Sequence, residues 1–469
     1  MFKGETILDY LKSNHECIRS DCNGNKSCGK CLVKVTPELT ITESDKRFLH
    51  PSRLKEGYRL ACCHPFEGYY DIEIISESDG IVNSQIYLAQ HADYEHRDSY
   101  SVAIDIGTTT VVVMIMKVDG TAVSYSDTFF NPQRSYGSDV ITRIHAACNG
   151  SLNMLHKLII DSIETSILKI IKKHGLPKQL FESIVISGNT TMMYLLLGKD
   201  PIALGTYPFE IDDQQSFLFN IVDCFKNLSF FSGVLYIVPY ASAFIGGDVV
   251  SGIVACGIDH SNENMMLIDL GTNGEMIVGN RDKLISVSTA VGPAFEGGNI
   301  ECGMPSIKGA IASIEVVKGN MSYNTIGNTK AAGICGSGLI QIIDHFINMN
   351  IMDETGYLAN NNDRFYIDEE RNIYVSQKDI RQVQLAKAAL QTGVKTLLEN
   401  GFFNPMEISK VFIAGGFGSS IDARYLASLG VIPESILEKC HTINNASLSG
   451  AVYLALTNDF DRFMRLRNK

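Results

Sequence analysis

The stretch VAIDIGTTTVVVMIMKV, residues 102–118, decides the fold of this chain. An apolar, β-branched run leads into the polar turn D-I-G-T-T-T, and a second apolar run follows, so two paired strands are expected. The same arrangement returns at MMLIDLGTNGEMIVG, residues 265–279, with the two aspartates 164 positions apart. Two such strand–turn–strand units in one chain predict an internal repeat of two similar lobes.

Each of the two turns has the composition of a phosphate-binding loop. Glycine tightens the turn so that backbone N–H groups point at one spot, threonine hydroxyls add donors, and aspartate can hold Mg2+ through water. One such turn is also compatible with an ordinary hairpin, whereas two in corresponding halves favour a nucleotide site. Asp105 and Asp269 are therefore predicted to position Mg-ATP. The residues predicted to cradle its phosphates are Gly107, Thr108, Thr109, Thr110, Gly271, Thr272, Asn273 and Gly274.

A third glycine-rich segment, VFIAGGFGSS, follows another buried strand near the C-terminus. Double glycine after a strand lets a flat base or ribose lie against the backbone, so Gly415, Gly416 and Gly418 are predicted to accept the nucleoside. The alternative is a plain turn into a helix that begins near Asp422. Asp248, in PYASAFIGGD, is a candidate for orienting water at the γ-phosphate, with a helix cap as the alternative.

The order of these loops resembles the superfamily of actin, sugar and acetate kinases and heat-shock ATPase chaperones. The resemblance implies an α/β fold with two lobes that close on Mg-ATP. The segment NASLSGAVYLAL, residues 445–456, resembles the hinge-crossing helix of that fold, where Gly450 and Ala451 permit close packing. Apolar residues spaced along residues 152–175 predict an amphipathic helix that covers a core, and Met192 and Met193 are expected to pack rather than to bind a ligand.

Cysteines near the N-terminus form a second candidate site. Cys22, Cys28 and Cys31 are spaced C-x5-C-x2-C, and Cys62 follows in GYRLACC. Zinc ribbons usually carry two C-x2-C pairs, and only one is present, whereas three cysteines with a distant fourth are typical of a 2Fe–2S ferredoxin. The spacing therefore predicts an iron–sulfur cluster, with zinc as the alternative. The adjacent Cys63 leaves the fourth ligand open on chemistry alone.

The surrounding sequence resembles a ferredoxin β-grasp domain. ETILDYLKS predicts a helix, and CLVKV and DIEII predict short strands. In ferredoxins the last ligand follows Leu-Ala, so the resemblance selects Cys62, with Cys17 as a further spare. The family begins with a β-hairpin before its first helix and this chain starts at the helix, so a small or truncated domain is expected.

Composition and charge set the limits on location and partners. The chain of 469 residues is 45% hydrophobic and 20% charged, as in globular proteins of two or three domains. A net charge of −12 argues against nucleic acid or an anionic membrane as partner. No uninterrupted apolar run of membrane-spanning length and no signal-peptide pattern is present, so we expect a cytoplasmic protein. The expected domains are a ferredoxin-like domain, a connector and a two-lobed ATPase, at residues 1–78, 79–99 and 100–469.

Eight sequence blocks, in order, resemble the reductive activators of corrinoid-dependent enzymes. They are CNGNKSCGKC, GYRLAC, AIDIGTTT, ISGNTTMMYLLLG, PYASAFIGGD, LIDLGTNGE, GICGSGLI and IAGGFG. The resemblance implies ATP-dependent one-electron reduction of a Co(II) corrinoid to Co(I), in support of methyl transfer, through a 2Fe–2S cluster. The implied partners are a corrinoid protein of a methyltransferase system and a low-potential electron donor, and a homodimer stays open.

Three other functions share some of these sequence features. A redox-sensing, ATP-binding regulator would use the same cofactors without passing an electron onward. An activator of a radical dehydratase shares the ATPase fold, but such activators hold their cluster between subunits and lack a fused ferredoxin segment. A small-molecule kinase would leave the N-terminal cysteines without a role.

Overall fold

The fold was analysed in a computed structural model of the whole chain, Met1–Lys469. The residues described are 5–14, 16, 18–20, 22–49, 51–66, 70–74, 86–88, 94–121, 123–212, 215–317, 320–359, 363–400, 403–415 and 421–469. Three residues named above lie outside these ranges: Cys17, Gly416 and Gly418. Across the described ranges, no helix is long and apolar enough to cross a membrane.

The N-terminal part forms a small antiparallel sheet with one helix packed on it. Its elements are α1 (Ile7–Ser13), β1 (Leu32–Thr36), α2 (Glu43–Phe48), α3 (Pro51–Lys55), β2 (Tyr58–Leu60) and β3 (Asp71–Ile74). The strand order is β2-β1-β3. Thr6 starts α1 through a capping box, in which its hydroxyl accepts from Asp9 N at 3.2 Å and its own N–H donates to the Asp9 carboxylate at 3.0 Å. The predicted helix and both predicted strands are present.

The first ATPase lobe is built on a six-stranded sheet. Its strands are β4 (Tyr100–Ile106), β5 (Thr110–Lys117), β6 (Ser124–Phe130), β7 (Phe181–Gly188), β8 (Leu218–Asn220) and β9 (Val234–Ile237), in the order β6-β5-β4-β7-β9-β8. Its helices are α4 (Val140–Ala146), α5 (Leu152–His174), α6 (Thr190–Leu196), α7 (Ile202–Gly205), α8 (Ile221–Cys224) and α9 (Gly247–Cys256). Helix α5 is the predicted amphipathic helix, and it buries its apolar stripe of Leu155, Ile159 and Ile163 completely.

The second lobe is built on a five-stranded sheet with two smaller sheets beside it. The main strands are β10 (Asn264–Leu270), β11 (Gly274–Gly279), β12 (Leu284–Thr289), β18 (Ile408–Ala414) and β19 (Cys440–Thr442), in the order β12-β11-β10-β18-β19. The smaller sheets comprise β13 (Ala310–Val317), β14 (Asn320–Thr325), β15 (Gly333–Ile334), β16 (Arg364–Asp368) and β17 (Ile373–Ser376). The helices are α10 (Gly336–Asn348), α11 (Gln377–Asn400), α12 (Ala423–Ser428), α13 (Ala446–Thr457) and α14 (Phe460–Arg467).

The two large sheets repeat one topology. In the first lobe β6, β5 and β4 form an antiparallel meander, and β7 and β9 continue the sheet parallel to β4. In the second lobe β12, β11 and β10 form the same meander, and β18 and β19 continue it parallel to β10. The internal repeat predicted from the two D-x-G-T turns is therefore present, and it places both turns at equivalent corners of their sheets.

Helices α9 and α13 pack against each other between the two sheets. A Cβ atom added at Gly450 of α13 would lie 2.3 Å from the carbonyl oxygen of Ser251 in α9, so only glycine allows this approach. The core around this contact draws residues from both lobes, including Val112, Val185, Val250, Leu267, Ile277, Phe412 and Leu448. The expected close packing at Gly450 is thus explained by the near contact of two helix backbones.

The expected connector packs against the ATPase lobes where it is described. Tyr87 N donates to the Ser449 hydroxyl of α13 at 3.0 Å, and the Tyr87 ring lies 5.7 Å from the ring of Phe412. Because α13 lies between the lobes, this part of the segment is attached to the lobe interface rather than being only a tether.

Candidate functional site

The turn after β4 is held in shape by its own backbone and by one asparagine. Gly107 N donates to Thr110 O at 2.9 Å, which closes the turn. Asn131, at the end of β6, donates from its backbone N to Thr109 O and from its side chain to Gly107 O, each at 2.9 Å. Both carbonyls are therefore satisfied within the protein, which fixes the shape of the turn.

A buried arginine supports the same turn from below. Arg143 is fully buried; its guanidinium donates to Thr108 O, to Gly137 O at 3.0 Å and to the Met192 sulfur at 3.2 Å. Asn189, which caps α6, donates to the Thr108 hydroxyl at 3.2 Å. Met192 therefore packs, as expected, and Arg143 places a fixed positive charge behind a loop predicted to bind phosphate.

The turn after β10 has a matching backbone arrangement. Gly271 N donates to Asn273 O at 3.0 Å, and Gly292 N donates to Thr272 O at 2.9 Å. Gly274 then begins β11. The two turns, one from each lobe, face the same cleft, because the hydroxyls of Thr109 and Thr272 both donate to Glu296.

Carboxyl groups gather at the base of the cleft, beneath the two turns. Burial, then the charges of Asp248 and Asp105, raise the pKa of Asp269 to about 7. Burial and the charge of Asp105 raise the pKa of Asp248 to about 7, although a hydrogen bond from Val249 N opposes this. Such mutual repulsion is what a divalent cation relieves, and Mg2+ held through water and phosphate needs only one or two carboxylates.

A fourth acid, Glu275, joins this group without having been predicted. Burial and then the charges of Asp248 and Asp269 raise the pKa of Glu275 well above its usual value. Glu275 pairs across the sheet with Asp269, at the place where Val112 pairs with Asp105 in the first lobe. The comparison of the two repeats is the signal that could have identified it, because an acid stands where the first lobe has a buried valine.

Asp105 is engaged by the helix that crosses between the lobes. Its carboxylate accepts from the Ser447 hydroxyl at 2.7 Å and from the Asn445 side chain at 2.6 Å. Burial raises the pKa of Asp105, and these two hydrogen bonds oppose the rise. Asp248 is not a helix cap: the N-cap of α9 is Gly246, and Asp248 lies in the first turn, where its carboxylate accepts from Val249 N at 2.8 Å.

The third glycine-rich segment continues directly from β18, beside Asp269. Gly415 has φ +98°, and a Cβ atom there would lie 2.2 Å from Leu270 O and 2.6 Å from the Asp269 carboxylate. A side chain at this position would therefore fill the cleft and strain the backbone. The role predicted for Gly416 and Gly418 falls outside the described residues. The expected helix follows, with Asp422 as the N-cap of α12.

The N-terminal thiols are arranged as two pairs. A hydrogen bond from the Cys28 thiol lowers the pKa of the Cys22 thiol to about 4. Cys31 and Cys62 are both buried, and Cys62 N donates to the Cys31 sulfur at 3.4 Å. In a 2Fe–2S cluster each iron takes two thiolates beside two shared sulfides, so two pairs fit this cluster. In the described ranges, no three His, Cys, Asp or Glu side chains form a group that could hold a single metal ion.

The fourth thiol lies next to an alternative. A hydrogen bond with Cys31, and then burial, raise the pKa of the Cys62 thiol, whereas burial raises the pKa of Cys63 to about 11. The Cys63 sulfur lies 3.7 Å from that of Cys62 and is more exposed. Cys62 is the thiol paired with Cys31, which supports the choice made from its Leu-Ala setting. The assignment of all four ligands stays a prediction.

Two lysines of the ferredoxin-like part reach the ATPase lobes. Lys12 donates to the Asn23 side chain in the cysteine loop at 2.7 Å, and its ammonium lies 4.8 Å from the centre of the Tyr136 ring in the first lobe. Lys30, between Cys28 and Cys31 in sequence, donates to Gly303 O of the second lobe at 3.3 Å. The cysteine loop is thus close to both lobes at once.

The chain matches three domain families in sequence order. Residues 2–67 match the 2Fe-2S iron-sulfur cluster binding domain, residues 100–261 the RACo middle region, and residues 263–467 the C-terminal domain of RACo, the ASKHA domain. The first match confirms the predicted cluster domain, and the third confirms an ATPase fold of the actin and sugar-kinase type.

Related proteins match this chain over most of their length. The corrinoid activation enzyme RamQ of Eubacterium limosum is 29% identical over 91% of this chain and 74% of its own length. A Co(II) methylated amine-specific corrinoid protein reductase of Methanosarcina barkeri is 21% identical over 76% of this chain and 70% of its own. A solved structure titled reductive activator for corrinoid, iron-sulfur protein matches with a TM-score of 0.72 at 25% identity, over 100% of this chain and 92% of that one.

The resemblance seen in the eight sequence blocks is therefore confirmed by domain content, by sequence over most of the chain and by fold. With its cluster domain, RACo middle region and ASKHA domain in that order, the chain belongs to the family of RACo-type reductive activators.

Proposed function

We propose that this protein reduces the Co(II) form of a corrinoid protein to Co(I) by one electron, with ATP driving the transfer. The observation that carries the proposal is the combination in one chain of two pairs of thiols and a two-lobed cleft with clustered carboxylates beneath two hydroxyl-lined turns. A 2Fe–2S cluster held by the paired cysteines would supply the one electron that cobalt gains, and a low-potential donor would supply the electron that replaces it. We propose that the corrinoid protein belongs to a methyltransferase system.

The chain's residues have separate tasks in this scheme. Cys22 with Cys28, and Cys31 with Cys62, hold the two irons, and the cluster supplies single electrons when bound. The cysteine loop lies beside Lys12, whose positive charge is close to three of the four thiols. The charge of such a group next to a cluster is one of the ways in which a protein tunes the reduction potential.

The nucleotide end of the scheme uses the two turns and the acids beneath them. Thr108, Thr109 and Thr272 donate to phosphate oxygens, Asp105 and Asp269 hold Mg2+ through water, and Asp248 orients the attacking water. Hydrolysis adds water across the terminal phosphate bond, giving ADP and phosphate. The backbone at Gly415 accepts the nucleoside, together with the predicted Gly416 and Gly418.

ATP can favour cobalt reduction only by binding one conformational state better than another. Lobe closure provides two such states, because the nucleotide loops belong to different lobes. For a one-electron transfer, each increase of about 60 mV in the uphill potential difference corresponds to about 1.4 kcal/mol. A modest difference in ATP binding free energy between the two states therefore suffices to drive transfer to an acceptor of more negative reduction potential.

The test is the anaerobic absorbance of a Co(II) corrinoid protein mixed with the reduced holoprotein, with and without Mg-ATP. We expect the Co(I) band only when Mg-ATP is present. Cys22→Ser should abolish cobalt reduction and keep ATP binding, whereas Asp269→Ala should keep the cluster and lose ATP-dependent reduction. A cluster that stays reduced in the presence of several corrinoid proteins and Mg-ATP would contradict the proposal and favour a redox-sensing regulator.

A further inference from the structure

Glu296 joins the two phosphate loops to each other. It is the last residue of the turn Pro293–Glu296. One carboxylate oxygen accepts the hydroxyl of Thr109 from the first lobe, and the other accepts the hydroxyl of Thr272 from the second lobe at 2.8 Å. A single side chain therefore spans the cleft between the lobes, in the place predicted for phosphate.

The bridge is incompatible with phosphate on the same hydroxyls. A threonine hydroxyl has one proton, so it cannot donate to a carboxylate and to a phosphate oxygen at the same time. A carboxylate left within a few ångströms of a triphosphate would also repel it strongly in a partly buried cleft. Glu296 and the nucleotide must therefore alternate at Thr109 and Thr272.

We propose that Glu296 is a positioning residue of the ATPase cycle, which holds the two phosphate loops together in the nucleotide-free protein and is displaced by the phosphates of ATP. The proposal rests on the ATP binding proposed above and adds a residue that acts through Thr109 and Thr272. It gives the nucleotide-free protein a defined link between the two loops, which the phosphates of ATP replace.

The segment that carries Glu296 extends toward the cysteine loop. Gly298 N donates to Pro293 O at 2.8 Å, which closes the turn around Glu296. Seven residues after Glu296, Gly303 O accepts from Lys30, which lies between two predicted cluster ligands. The short segment from Glu296 to Gly303 therefore contacts the two phosphate loops at one end and the cluster domain at the other.

The decisive measurement is the affinity of the full-length holoprotein for Mg-bound adenylyl imidodiphosphate, a non-hydrolysable ATP analogue, by titration calorimetry. Removing the bridge in Glu296→Ala removes the competitor for two hydroxyls, so we expect binding about tenfold tighter than in the parent, as for hydrogen bonds to a charged group. Glu296→Gln keeps the size of the side chain and should give tighter binding as well. Unchanged or weaker binding in both variants would overturn the proposal.

A matched control lies in the same segment. Glu301 is exposed and accepts from the Tyr374 hydroxyl at 3.0 Å, away from both loops. Glu301→Gln removes the same charge from the same segment without touching the bridge. The affinity of this variant for the ATP analogue should therefore equal that of the parent. Tightening as large as in Glu296→Gln would show a general effect of charge and contradict the specific bridge.

Two further readouts separate this role from others. Small-angle scattering of the nucleotide-free proteins should show a larger radius of gyration for Glu296→Ala than for the parent, because the lobes lose their bridge. A loss of turnover with unchanged nucleotide affinity and unchanged radius would instead assign Glu296 to water activation and overturn the proposal. Failure of the parent itself to bind the analogue would refute the proposed function rather than this inference alone.

Discussion

Individual carboxyl groups at the base of the cleft oppose folding when no nucleotide is bound. Asp248 ionises in the folded protein with a pKa of about 7, against a usual value of 3.8. Between about pH 4 and pH 7, the folded state therefore keeps a proton on Asp248 that the unfolded state has released. The destabilisation begins above pH 4, grows up to pH 7 and is constant above it. A buried acid retained at such a cost is typical of a functional site.

Asp248→Asn should therefore stabilise the nucleotide-free protein while impairing its chemistry. The amide has the same shape and no charge, so at pH 8 we expect a gain of about 2–4 kcal/mol in the free energy of unfolding. The gain should shrink at pH 5, and ATP hydrolysis should fall at least tenfold. Thermal unfolding of metal-free protein at both pH values measures the first effect; equal unfolding temperatures at pH 8 would contradict it.

Asp45 has the opposite effect in the ferredoxin-like domain. Burial favours the neutral acid, but hydrogen bonds from His64, Thr42 and Leu60 N outweigh it and lower the pKa of Asp45 to about 2. Its carboxylate lies 2.8 Å from the His64 ring nitrogen, with both side chains buried. This stabilisation is present above about pH 4 and is lost as the pH falls toward 2.

Asp45→Asn should weaken this domain because an amide oxygen cannot replace a charged acceptor for the donors of all three residues. We expect the free energy of unfolding of this domain to fall by about 2–3 kcal/mol at pH 7. On heating, the visible absorbance of the cluster should then disappear at a lower temperature than in the parent. Glu43→Gln is the control, since Glu43 is an exposed acid in the same helix. If both variants lost the cluster absorbance at the same lowered temperature, a specific role for Asp45 would be excluded.

At the scale of elements, the contact of α9 with α13 sets how the lobes meet. Gly450→Ala places a methyl group 2.3 Å from Ser251 O, so the helices must separate. Because this contact lies in the core shared by both lobes, we expect a loss of about 2 kcal/mol or more in urea unfolding. Gly175→Ala is the control: it has φ +63° and open space around it, so it should lose only about 1 kcal/mol.

The same helix connects packing to chemistry. Asn445 caps α13 by accepting from Leu448 N at 2.7 Å, and its amide group donates to Asp105. Ser447, in the first turn of the helix, donates to the other oxygen of Asp105. Any change in the angle of α13 therefore moves the partners of a predicted Mg-positioning carboxylate. A measurable consequence is that Gly450→Ala should also weaken Mg-ATP binding.

At the scale of the whole molecule, two lysines of the ferredoxin-like part contact the lobes. Lys12 lies over the Tyr136 ring of the first lobe, and Lys30 donates to Gly303 O of the second. Single contacts of this kind contribute about 0.5–1 kcal/mol each when partly exposed. This arrangement allows the domain to stay docked on the lobes and yet be released toward a partner.

The double variant Lys12→Gln with Lys30→Gln should release the ferredoxin-like part. We expect a larger radius of gyration by small-angle scattering and an unchanged unfolding temperature of the ATPase lobes, because no core residue is altered. Lys178→Gln is the control, since Lys178 lies 4.9 Å from the Phe230 ring within the first lobe alone. The same radius for the double variant and the parent would contradict docking through these lysines.

The sequence by itself determined the features that depend only on residues close together along the chain. The D-x-G-T turns after apolar strands, the cysteine spacing and the helical period of residues 152–175 each lie within one local stretch. The two-lobed fold, the cluster domain and the family followed from these stretches and are confirmed. The domain limits and the individual site residues remain predictions, including Gly416 and Gly418.

Only the tertiary structure decided which residues surround those stretches. Arg143 and Glu296 act on the predicted loops from other elements, and nothing in their own neighbourhoods marks them. The choice of Cys62 over Cys63 is likewise supported by a contact with Cys31, which lies 31 residues earlier. The physical reason is that burial and charge are properties of the packed fold: a carboxylate's pKa and a hydroxyl's partner depend on what distant segments bring beside it.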